Sequence, residues 1–157
     1  MAEHARARAA GTWTRVGLAL LGALLLPALT GCSQGASATL DQALKSGASS
    51  TATAAQALRL LADGRSTSAV TSSALQDMLQ ELDSSVGQVA QASTASNADR
   101  VARGRVLAAL ESAVSSLTTA EDAVAHTPGA PSLGAAATRI DTVTRRLHAL
   151  EKSGGTA

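Results

Sequence analysis

Aromatic side chains are almost missing: the 157-residue chain has one tryptophan, Trp13, and neither tyrosine nor phenylalanine. Everything after Trp13 therefore lacks the rings that stack on sugars and bases or anchor most protein interfaces. Cysteine is as scarce, with Cys32 alone, so no internal disulfide can form. Two histidines, His126 and His148, lie beyond the N-terminal region, and a zinc site would need both together with carboxylates from distant segments. The carboxylates of Glu121-Asp122 and of Asp77 with Glu81 sit close along a helix, but the Glu-x-x-His motif that marks a di-metal bundle does not occur. Neither does the G-x-x-x-x-G-K phosphate loop nor the G-x-G-x-x-G dinucleotide fingerprint. These gaps predict a non-enzyme with no metal and no cofactor, in which His126 and His148 are exposed surface residues.

What is present begins with a charge asymmetry. Arg6, Arg8 and Arg15 face a single Glu3, and the segment VGLALLGALLLPAL that follows, Val16 to Leu29, carries no charge. Its 14 residues fall short of the roughly 20 that a membrane-spanning helix needs. A basic start and a short apolar run have the form of an export signal. Directly after them stands Leu29-Thr30-Gly31-Cys32. With that order and spacing, the segment resembles the signal and lipobox of bacterial lipoproteins, in which the cysteine receives a diacylglycerol thioether and a peptidase then cuts before it. Small residues such as Thr30 and Gly31 leave the extended backbone accessible to the peptidase. The resemblance implies that residues 1–31 are removed and that Cys32 becomes an acylated, palmitate-bearing N-terminus. It also implies anchoring on the extracytoplasmic face of the cell membrane. With no twin-arginine pair, the general secretory route is expected.

Residues 32–157 suit one domain and are too few for two substantial cores. They carry 10 basic and 11 acidic residues, so no global attraction to nucleic acid follows. Leu, Ile and Val supply only 23 of these 126 residues, and alanine fills the gap, which favours helix. Over the whole chain arginine outnumbers lysine 11 to 2, and with the abundance of alanine this resembles small lipoproteins of high-GC Gram-positive bacteria.

Four segments carry helical periodicity, separated by breaks at Gly64-Arg65-Ser66, around Ser93 to Asn97, and at Thr127 to Pro131. The first stripe is Leu40, Leu44, Gly47, Thr51, Ala54, Leu58 and Leu61, with a weak middle at SGASSTAT where bending or fraying is expected. The second is Leu75, Leu79, Leu82, Val86 and Val89, beginning at a Ser66-Thr67-Ser68 run that can supply an N-cap. The third runs Leu107, Leu110, Val114, Leu117 and Val124, with Glu121 intervening. The fourth, after Pro131-Ser132, is Leu133, Ala136, Ile140, Val143, Leu147 and Leu150. The expected fold is an all-α, up-down-up-down four-helix bundle over residues 38–153, with 32–37 as the lipidated terminus and linker and 154–157 as a tail.

If successive helices alternate in direction, the end near Cys32 carries Lys45, Arg100, Arg103, Arg105, Arg145, Arg146 and Lys152 against Asp41, Glu81, Asp83, Asp99 and Glu151, a net of +2. The far end carries Arg59, Arg65 and Arg139 against Asp63, Asp77, Glu111, Glu121, Asp122 and Asp141, a net of −3. Arg100, Arg103 and Arg105 stand at a helix start, where the helix macrodipole disfavours cations, so a role outside the fold is expected of them. Together with Arg145 and Arg146 they are candidates for contact with anionic lipid headgroups. The leading functional expectation is a membrane-anchored extracytoplasmic lipoprotein acting as a non-catalytic structural or protein-interaction module. A bundle binding a small apolar ligand or lipid is the alternative, and an accessory protein presenting the loop Thr127 to Pro131 is a third class.

Overall fold

Hydroxyl side chains set most of the helix starts. In a computed structural model, which describes residues 35–153, the helices are α1 Ala36–Ala62, α2 Ser68–Gln91, α3 Asn97–Val124 and α4 Leu133–Lys152. Thr67 caps α2 by accepting the Val70 N–H at 3.3 Å, and Ser132 caps α4 by accepting that of Ala135 at 3.2 Å. At α3 the capping is reciprocal. Ser96 Oγ accepts the Asp99 N–H at 3.0 Å while Asp99 Oδ2 accepts the Ser96 N–H at 2.8 Å. Two otherwise orphaned donors are satisfied by this box. Only α1 begins without a side-chain cap, after Gly35, and Ala36 lies inside the segment expected to be linker.

The helix ends follow backbone rules. Gly64 has φ 69°, and Arg65 N–H reaches back to the Leu60 carbonyl at 2.8 Å, closing α1 in the way a left-handed residue after a helix allows. At the end of α3 the corresponding left-handed position is taken by His126, φ 53°, the one non-glycine residue with positive φ among those described. Thr127 N–H then bonds the Asp122 carbonyl at 3.0 Å.

These helices form an all-α four-helix bundle with no strand among the described residues. Contacts follow a ring, α1 to α2, α2 to α3, α3 to α4 and α4 back to α1, the last being the most extensive. Across the middle α1 also touches α3, so α2 and α4 occupy the opposite corners that stand apart. Gly47, Thr51 and Arg59 of α1 meet Leu147, Thr144 and Asp141 of α4, a rising series against a falling one, so these two helices are antiparallel.

The weak middle of α1 is not a break. The helix is continuous, and Gly47 is where three other helices crowd it: a Cβ there would lie 2.7 Å from Leu110 Cδ2, 3.5 Å from Leu82 Cδ2 and 3.6 Å from Leu147 Cδ1. Ser50 and Thr51 beside it are buried. Thr51 Oγ1 directs its proton to the carbonyls of Gly47 and Ala48, at 2.9 and 3.1 Å, and stands 2.8 Å from the Thr144 hydroxyl of α4. The polar, small residues that looked like a defect thus lie where side chains of the three other helices converge on α1.

A second difference lies in α3. Its buried line is Ala102, Val106, Ala109, Ala113, Ser116, Ala120 and Ala123, with Leu110, Leu117 and Val124 beside it; Leu107 and Val114 are only partly buried. A stripe traced through leucine and valine therefore sits to one side of the true core face, because alanine is what fits where backbones approach closely. In α2, Leu75, Leu82 and Val89 are buried while Leu79 and Val86 are partly so. In α4 the expected stripe holds, with Ala136, Ile140, Val143 and Leu147 buried and Leu133 and Leu150 at its margins.

Opposite effects of one substitution follow. Gly104→Ala in α3, where an added Cβ meets nothing within 4 Å, should raise stability by about 0.5–1 kcal/mol through helix propensity. In Gly47→Ala the same gain of about 1 kcal/mol is set against overpacking of about 1–3 kcal/mol, and a net loss is expected. Urea unfolding of the two variants checks this, and equal shifts of the same sign would contradict the convergence on Gly47.

Candidate functional site

Two groups of residues are candidates: the lipobox, and the basic residues. Leu29, Thr30, Gly31 and Cys32 lie outside the described residues, as does the tail 154–157. The five arginines are all described, and they do not form one cluster. Leu82, Leu110 and Leu147 meet at Gly47 and so mark one level across the bundle. Arg145 and Arg146 are one or two residues from Leu147, within about 3 Å of that level, whereas Arg100 is ten residues from Leu110, about 15 Å away along α3. The α4 pair therefore stands well away from the level where α1 begins: Leu147 meets Gly47, eleven residues into α1, although it is only five residues from the end of α4.

The arginines also differ in what they do. Arg103 is half-buried, and its Nη1 donates to the carbonyl of Ala92, the residue that ends α2, at 3.1 Å. That bond supplies a fold-internal reason for a cation at this position. The helix macrodipole bears little on Arg103 and Arg105, since its effect fades within one turn and both stand beyond the first turn of α3. Arg100 Nη2 meets Asn97 Oδ1 at 3.3 Å on its own helix. Arg145 Nη2 donates to Thr142 Oγ1 at 3.0 Å. Arg105 and Arg146 are exposed and make no hydrogen bond or ion pair among the described residues.

The ring order shows a different charge pattern, one helix against another. Along α2 are Asp77, Glu81 and Asp83, all exposed, with no lysine or arginine; the Ser46 hydroxyl of α1 donates to Glu81. Along α4 are Arg139, Arg145, Arg146 and Lys152, all exposed. Its two acids are half-buried and engaged elsewhere: Asp141 pairs with Arg59 of α1, and Glu151 meets His148 Nδ1 at 3.2 Å. A shallow open depression on α4 is lined by Arg145, His148, Ala149 and Lys152. Arg139 and Lys152 belong with Arg145 and Arg146 by helix, and their near-heptad spacing on one segment was the available signal.

Nothing else converges. Among the described residues no three His, Cys, Asp or Glu side chains gather as a metal site requires, and His126 and His148 are exposed on separate elements. The spacing G-x-S-x-G does occur once, from Gly31 to Gly35, overlapping the lipobox cysteine. Four of its five residues, 31–34, lie outside the described residues. Among the described residues large apolar side chains are exposed only at Val70 and Val101, which lie on different helices. No protein-family model matches the chain, and no curated protein or solved structure matches it either.

One titration is set by local geometry. The Ser96 side chain, the Ser96 N–H and the Ala95 N–H favour ionised Asp99 and hold its carboxyl below the usual aspartate range. A depressed value means that the box contributes fully above the unfolded pKa and is lost as pH falls through the folded one. In an acid titration followed by NMR, the Ser96 and Ala95 amides should shift together at a pH below that of an ordinary aspartate, and Asp99→Asn should remove the transition.

Proposed function

We propose that this chain is a lipid-anchored protein of the extracytoplasmic face of the cell membrane, with a helical domain that serves as a non-catalytic structural or protein-interaction module. The observation that carries the reading is Leu29-Thr30-Gly31-Cys32 behind a basic start and an uncharged run. The position of the helical body agrees with it: α1 begins at Ala36, four steps after Cys32, so little chain stands between the lipid and the folded domain. Four steps reach at most about 13–14 Å, half the span expected had the first helix begun near Leu40. No helix among the described residues is long and apolar enough to cross a membrane, so attachment in this reading comes from the acyl chains.

Helix direction belongs to the same reading. The links 63–67 and 92–96 extend to at most about 18 Å, against about 36 Å for the 24 residues of α2 and about 42 Å for the 28 of α3. Successive helices therefore alternate, up-down-up-down. The centre of the bundle is filled around Gly47, which argues for an outer surface rather than an internal pocket as the working part.

Cys32→Ala tests the anchor. The variant should keep its signal segment, lack the acyl mass and leave the membrane fraction when washed with detergent-free high salt and carbonate. Processing to the wild-type mass with unchanged retention would refute the reading.

A further inference from the structure

We propose that the outer surface of α4 is the side that rests on the anionic headgroups of the membrane, so that the bundle lies along the bilayer with α4 toward it and α2 away. The inference rests on the lipid anchor of the preceding section and adds an orientation to it. Its basis is the separation of charge between two opposite corners of the ring. On α4 every basic residue, Arg139, Arg145, Arg146 and Lys152, is exposed and lacks an acidic partner among the described residues. Asp141 is half-buried and paired with Arg59, and Glu151 is half-buried against His148, so at most one carboxylate is left to offset four cations. What α4 offers to the outside is therefore cationic along its length, about 20 Å from Arg139 to Lys152. The diagonal helix α2 offers three exposed carboxylates and no cation.

An anionic plane attracts one corner and repels the other, and both forces give the same orientation. A standing bundle would not use α4 in this way. Its Arg145 and Arg146 lie at the level of Gly47, eleven residues or about 16 Å along α1 from Ala36, beyond a Debye length of about 8–10 Å. A bundle on its side brings the whole row within that length. The tether permits it, because α1 is the neighbour of α4, with packed helix axes about 8–10 Å apart, and α1 starts within about 14 Å of Cys32. No large apolar side chain of α4 is exposed, so the contact is electrostatic and salt-sensitive.

Cys32 is the only cysteine, and acylation blocks it, so one introduced thiol can be labelled alone. The test uses the full lipidated protein with a fluorophore at Ala149→Cys on α4 or Gln80→Cys on α2, both exposed positions. It is reconstituted on vesicles of neutral phosphatidylcholine and on vesicles containing phosphatidylglycerol. Flotation reports the anchor, and collisional quenching by an aqueous quencher reports orientation. On anionic vesicles quenching at 149 should fall several-fold relative to neutral ones while quenching at 80 stays unchanged. Raising salt from about 0.1 M to 1 M, which shortens the Debye length from about 10 to 3 Å, should restore it. Reversing Arg139, Arg145, Arg146 and Lys152 to glutamate in the 149-labelled protein should do the same at low salt, with helicity checked by circular dichroism. Flotation on both vesicle types with equal quenching at 149 and 80 would overturn the orientation and leave the anchor standing. Loss of flotation from neutral vesicles would overturn both.

Discussion

The convergence of three leucines on Gly47 is the packing constraint on which the rest of the bundle depends. A chain with so few large side chains cannot reach stability by filling a wide core, and it compensates by bringing helices near enough for alanine, serine and glycine to make contact. At Gly47 the missing side chain lets Leu110, Leu82 and Leu147 converge on the backbone of α1. The same constraint explains why the buried line of α3 is mostly alanine, from Ala102 to Ala123. It also explains why α1 touches all three other helices whereas α2 and α4 stay apart. Once one diagonal of a four-membered ring is drawn in, the other must lengthen.

The existence and limits of the helices were legible in the sequence, since breaks and caps rest on local chemistry. Ser132, the Ser66-to-Ser68 run and Gly64 occupy positions where hydroxyl and left-handed preferences decide the matter without tertiary help. Faces were legible where leucine marks them, as in α4 with Ile140 and Leu147. In α3 and mid-α1 they were not, because alanine and serine are equally at home inside and outside, and only the neighbour decides. At His126 the break that follows was legible but its left-handed backbone was not: glycine is the expected occupant of such a position, and histidine gives no sign of filling it.

The basic residues show the same limit in electrostatic form. Alternating direction alone does not say which residues of helices of different length share a level, and the level fixed by Gly47, Leu110 and Leu147 places Arg145 and Arg146 away from the start of α1. Which cations are spent inside the fold was also invisible from spacing alone. Arg103 turns to the end of α2 and Arg59 to Asp141, while the row on α4 stays uncommitted. The charge imbalance is therefore lateral, between the corners held by α2 and α4.

The hydroxyls of Thr51 and Thr144 carry a consequence for uniqueness. Two helices surfaced with alanine are nearly smooth, and sliding one past the other by a turn, about 5.4 Å, would exchange one set of methyl contacts for a similar set. A buried hydroxyl facing a partner at 2.8 Å does not survive such a slide. Each oxygen would then face hydrocarbon with one fewer partner, a loss that repacked alanines cannot make good. Acting like a single detent on an otherwise featureless rail, the pair selects one register for α1 against α4, and with it the row of cations that α4 turns outward.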